Sequence, residues 1–135
     1  MAQIVLTDVA VSINSVALAS RATNVVINYE KEAIETTAFG DNSRAFVAGL
    51  GNITCDVTLN QDFAASNVEA TIFPLVGTTT TLVFKPTSGA VGATNPSYTI
   101  AGAYLASHTP INGAVGELST TELSFQGGTL TKATT

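Results

Sequence analysis

The feature that most constrains this chain is a two-residue alternation of apolar and polar side chains that recurs along most of its length. Ile53, Cys55, Val57 and Leu59 alternate with Thr54, Asp56, Thr58 and Asn60. Because successive strand side chains point to opposite faces, such a run can bury its apolar set only as a strand with one face on a core. Val25, Ile27 and Tyr29 alternate in the same way with Val26, Asn28 and Glu30, so a half-buried strand is expected over residues 24–30. Further strands are expected over 3–13 and 16–19, joined by a tight turn at Asn14-Ser15, and over 78–86. Two more are expected over 97–109, with Tyr98, Ile100 and Tyr104 packing, and over 117–126, where Leu123 and Phe125 alternate with Glu122 and Ser124.

One segment breaks this period. Ser66-Asn67-Val68-Glu69 has capping-box spacing, and Val68, Ile72, Leu75 and Val76 fall on one helical face. Pro74 and Gly77 mark the end of that helix, because proline cannot donate to the preceding turn and glycine suits the left-handed position after it. The stretch 88–96 reads as a flexible connection, Asn112-Gly113 as a turn, and the tail 127–135 as loose or ordered by a neighbour.

A second segment, residues 32–52, is too long for a tight turn, with its tip at Gly40-Asp41-Asn42-Ser43. Loops of this length in small domains tend to be functional. Phe39 and Phe46 flank the tip with Arg44 between them, and aromatic side chains beside an arginine make good interface anchors. The alternative is that both rings fold back onto their own domain.

Composition narrows the function. The chain has 135 residues, enough for one domain spanning 1–135, and only 11% of them are charged, against about 25% in ordinary soluble domains. So uncharged a surface either carries a Thr/Ser/Asn coat or is covered by partner molecules. Net charge is -5 with the 5 basic residues scattered, which leaves no basic stripe for holding nucleic acid. No apolar run is long enough to cross a bilayer as a helix, and no basic, apolar leader opens the chain. The single Cys55 cannot form an internal disulfide, consistent with synthesis in a reducing cytosol, and lies in phase with a core face. His108 is the only histidine and has no local partner marking a triad or a metal site. The expectation is a chain with no catalytic residues, no metal and no cofactor. Glu30, Glu32 and Glu35 form the densest acidic group, either a solvated strand end or an acidic rim.

Three segments together resemble the major tail, or tail tube, proteins of long non-contractile-tailed bacteriophages. They are NVVINYEKEAIETTAFGDNSRAFVAGLGNITCDVTLNQDF over 24–63, VEATIFPLVGTTTTLVFKP over 68–86, and ASHTPINGAVGELSTTELSFQGG over 106–128. The resemblance implies a mainly β fold: a β-sandwich or partly closed β-barrel with one flanking α-helix and a long inter-strand loop. It implies subunits joined into hexameric rings, with rings stacked into a hollow tube. The loop over about 35–51 would reach a neighbouring ring or subunit and become ordered during assembly, with Phe39, Asp41, Arg44 and Phe46 carried onto that role. The partners implied are further copies of the chain, tape-measure and tail-terminator or tail-tip proteins, and double-stranded DNA passing without specific binding, all in a virion tail made in the host cytoplasm. The polar positions Asn28, Glu30, Thr54, Asp56 and Thr58 are the candidates for the wall of the lumen, since an acidic or neutral wall repels phosphate weakly. The competing readings are another phage structural module, a head-decoration or head-tail connector protein, and a monomeric carbohydrate-binding or adhesion β-sandwich with Tyr98 and Tyr104 as its aromatic pair.

Overall fold

Alternation does organise the chain into strands. The computed structural model describes residues 3–135 and, among them, eight strands: β1 (Ala10–Ile13), β2 (Val16–Ala17), β3 (Ala22–Glu35), β4 (Phe46–Asn60), β5 (Thr79–Lys85), β6 (Ser97–His108), β7 (Thr120–Gln126) and β8 (Thr129–Ala133). All belong to one antiparallel sheet in the order β2-β1-β5-β6-β7-β4-β3, with β8 also paired to β6. Its ends, β2 and β3, do not pair with each other, so the sheet is open. It nevertheless encloses a single core. Val11 and Ile13 of β1 share a buried cluster with Ile53, Cys55, Val57 and Leu59 of β4, from the far side of the strand order. The sheet therefore curls around its own apolar face, which is the partly closed barrel rather than two stacked sheets.

The N-terminal hairpin turns where expected, with Asn14 at φ 51 and Ser15 at φ 66, the left-handed pair that matches strand twist. Its first strand starts at Ala10, not at residue 3; ahead of it only Asp8 forms an isolated bridge, to Thr87, and Ile4, Val5 and Leu6 are exposed.

Helix α1 (Val68–Ile72) runs on into a 3₁₀ turn, Phe73–Leu75. Its buried side chains Val68 and Ile72 enter the core. The cap differs from expectation. Ser66 stands at φ 59, and Asn67 is the N-cap, its side chain accepting from the Val68 amide at 3.2 Å. Glu69 is thereby released from a capping box, and its carboxylate goes elsewhere.

Strand β6 carries an extra residue relative to β5: Thr80 pairs with Ala103 but Leu82 with Ile100. Gly102, at φ 75, absorbs this bulge. The inward face accordingly changes parity, from Ile100 to Ala103 and Leu105, and Tyr104 turns outward instead of packing inside.

The tail is a strand. Gly127 and Gly128, at φ 74 and 92, break the line after β7, and β8 then pairs along β6 from Ala101↔Thr129 to Ser97↔Ala133. Leu130, opposite Ile100, packs against the core. A Cβ on Gly128 would lie 2.6 Å from the Ala101 carbonyl oxygen, so close backbone approach as well as positive φ requires glycine there. Gly128→Ala is expected to destabilise the fold by about 2 kcal/mol or more. Urea unfolding followed by circular dichroism measures this, and an unchanged midpoint would contradict it.

Candidate functional site

Residues 32–52 are mostly strand, not loop. β3 and β4 pair from Ala22↔Leu59 out to Glu35↔Phe46, leaving only residues 36–45 as a connection. The alternation vanishes from the sequence there because neither face of this stretch is buried. β7 covers β4 only from Thr54 to Asn60, so residues 30–35 and 46–52 form a two-stranded ribbon with no third strand beside them. Apolar side chains stay in water on both of its faces. Ile34 and Val47 are a cross-strand pair, Phe46 lies opposite Glu35, and Leu50 is 83% exposed. A β4 bulge kinks the arm: Lys31 pairs with Gly51 but Ala33 with Ala48. Gly49 fits within it because a Cβ there would sit 2.9 Å from Ile34 Cδ1.

The tip is a shaped turn. The Thr36 amide donates to the Ala45 carbonyl at 2.8 Å, and the Ala45 amide to Thr37 Oγ1 at 2.9 Å. Asp41 closes the end by accepting the Ala38 amide on Oδ2 at 2.7 Å while its own amide donates to the Ala38 carbonyl at 3.1 Å. Phe39 is fully exposed and Phe46 half so; neither ring folds back onto the domain. Of the four tip residues singled out from sequence, Asp41 shapes the turn, and Phe39, Arg44 and Phe46 face solvent.

The second set, Asn28, Glu30, Thr54, Asp56 and Thr58, falls on one face. Asn28↔Thr54, Val26↔Asp56 and Asn24↔Thr58 are direct cross-strand pairs on the side of β3 and β4 opposite the core. β7 extends this face through Gln126, Ser124 and Glu122, opposite Thr54, Asp56 and Thr58. The carboxylates of Glu30, Asp56 and Glu122 thus share a polar, acidic wall, with the Asn28 side-chain amide donating to Glu30 at 2.6 Å.

His108, without a local partner in the sequence, has two in space. It is almost fully buried, with Nε2 3.0 Å from Glu69 Oε2 and Nδ1 2.7 Å from Thr121 Oγ1. Gln61 joins them, donating to Glu69 at 2.9 Å and to the Pro110 carbonyl at 2.8 Å. Nearby, Arg21 binds Asp62 at 2.8 Å, and the Ala64 amide with that guanidinium holds the Asp62 carboxyl below the usual carboxylate range. These bonds pin α1 and the end of β4 to β6 and β7. Separations such as Glu69 to His108, 39 residues, leave no local signal. With both ring nitrogens of His108 engaged, the cluster ties these elements together. Among the described residues no group of three or more His, Cys, Asp or Glu could hold a metal.

No family model and no curated protein matches the sequence. Solved structures do match in shape. A chain of the sheath-tube complex of an extracellular contractile injection system, PVC in its extended state, superposes with a TM-score of 0.74 at 10% identity, covering 98% of this chain and 93% of that one. The chain adopts the tail-tube fold. The tube-terminating cap of the anti-feeding prophage gives 0.71 at 11% identity, covering 98% and 93% of the two chains. The tail of an empty GTA particle, with C6 symmetry, gives 0.52 at 16% over 82% and 81%. These tail-tube-like chains belong to structural assemblies, not enzymes.

Cys55 is buried between Ile27 and Phe125 on the inner face of β4. Burial, with Asp56 adjoining, pushes its thiol up from an ordinary 9.0 to about 12. A raised pKa keeps the native thiol protonated where the unfolded one ionises. Its stabilising contribution is complete below pH 9 and is expected to fall as pH rises from 9 towards about 12, by about 1.4 kcal/mol per pH unit. Comparing the alkaline stability of the native sequence with that of Cys55→Ala isolates this loss; identical slopes would contradict it.

Proposed function

We propose that this chain is the repeating subunit of a tail tube, self-assembling as stacked hexameric rings into a hollow conduit for DNA delivery in a bacteriophage-type virion. The observation that carries this reading is the projecting arm. A two-stranded ribbon is marginal in water on its own, and one with Ile34, Phe39, Phe46, Val47 and Leu50 exposed costs solvation unless a partner covers it. A chain with so few charges to keep copies apart fits a partner identical to itself. The tail-tube fold of the neighbours, one from a C6-symmetric tail, supports the sixfold arrangement.

Within this reading, Phe39, Asp41, Arg44 and Phe46 make the contact between subunits, and the acidic wall of Asn28, Glu30, Thr54, Asp56 and Thr58 lines the lumen. Duplex DNA would be held by a basic wall and slips past an acidic one. Tape-measure and terminator proteins would set the length of the tube. A second reading follows from a further likeness, to a chain of the PVC sheath/tube terminator, with a TM-score of 0.70 at 13% identity over 96% of each chain: one ring that caps a tube built by another protein. Copy number per particle separates the two, since a tube repeats its ring many times and a cap does not.

Two experiments test the proposal. Deleting residues 37–46 is expected to leave a folded monomer that forms no tubes by electron microscopy; tubes of normal length would refute the role of the tip. Replacing Glu30 and Asp56 together by lysine is expected to preserve tubes but slow DNA delivery from reconstituted particles, and unchanged delivery would remove both residues from the lumen.

A further inference from the structure

The open side of the barrel leaves a groove of about 720 Å³ between the start of β3 and the corner formed by the N-terminal segment and β5. Its wall is more apolar than polar, with Leu6, Val25, Ile27, Phe84, Pro86 and Tyr98 among the residues lining it, and Asp8 and Lys85 line it too. Val25 and Ile27 pack only partly against the core, so the groove is a place where the apolar interior of the sheet reaches solvent. It is built from the first half of β3. The tip lies beyond the other end of that strand: eight residues separate Ile27 from Glu35, about 26 Å at 3.3 Å per residue, and the turn continues outward.

We propose that this groove receives the arm tip of a second copy of the chain, with the Phe39 ring entering the apolar wall and the Arg44 guanidinium meeting Asp8. Three observations select this occupant. Groove and tip stand at opposite ends of one strand, so the tip cannot reach its own groove and the match is head-to-tail, the kind of contact that propagates instead of closing on a pair. The ring of Phe39 is fully exposed at the front of the turn, and an apolar recess is the environment that repays its burial. Charge matches as well. Arg44 is the one cation on the tip and makes no hydrogen bond or ion pair among the described residues, while among those residues the Asp8 carboxylate accepts only the Ser88 hydroxyl. Tyr98 also lines the groove, and an aromatic ring is a favourable neighbour for a guanidinium.

The inference rests on the tube reading and names its receptor. Ser43→Cys on the tip and Thr7→Cys in the groove lining, both at exposed positions that leave the Phe39 ring and the apolar wall intact, are made separately, checked for native circular dichroism, mixed, assembled and treated with a short bis-maleimide. Cys55 is buried and stays silent. The expected result is a cross-linked dimer from the mixture, absent from either variant alone. Tubes without that cross-link overturn the groove as receptor and leave the tube reading standing; failure of the native-sequence protein to associate at any concentration overturns both. A cross-link in associated protein that never forms tubes supports the docking and refutes the tube. Charge gives an independent measure: Arg44→Glu is expected to raise the critical concentration for assembly about fivefold, and Asp8→Lys to reverse that rise in the double variant. Additive losses in the double variant would overturn the pairing.

Discussion

The architecture depends on a hairpin that is longer than its support. β3 and β4 are 14 and 15 residues long, yet β7 backs only the half of β4 from Thr54 to Asn60. Inside that boundary the two strands are part of the core; outside it they are a ribbon whose side chains meet water on both faces. A monomer gains little from such an extension, because an isolated pair of strands barely compensates for its conformational entropy. The rest of the molecule anchors the other half of this hairpin. The core packs beneath it, and the bonds among Gln61, Glu69, His108 and Thr121 tie the end of β4 to its neighbours.

The same division orders the surface. The core face of β4 is apolar through Ile53, Cys55, Val57 and Leu59, while the opposite face continues across three strands as Asn, Thr, Ser, Gln and carboxylates around one exposed Val26. That face carries the carboxylates of Glu30, Asp56 and Glu122. The arm instead offers aromatic and aliphatic side chains with one arginine. One sheet thus separates a mostly polar, acidic surface from an arm whose apolar side chains are exposed.

The body of the fold was legible because burial writes itself into the sequence. Where one face is inside, period two is clear, as at residues 53–60; so too were the single helix, the Asn14-Ser15 turn and the buried Cys55. The arm was misread as a loop because a strand exposed on both faces has no reason to alternate. The tail was misread because β8 contributes only Leu130 to the core and is held otherwise by backbone bonds to β6, which any side chain can flank. Tyr104 was placed inside by counting in twos across a bulge that only Gly102 hinted at. The polar face was recoverable by the same counting, since no bulge interrupts Thr54, Asp56 and Thr58. The partners of His108 could not be found, because they lie on α1 and β7, far along the chain.

The direct test of this account is amide hydrogen exchange along β3 and β4 at increasing protein concentration. The account predicts slow exchange at Cys55 and Val57 throughout, and at Ile34 and Val47 fast exchange in dilute protein that becomes slow on assembly. Equal protection of both regions in a dilute monomer, or an arm that exchanges freely within assembled particles, would contradict it.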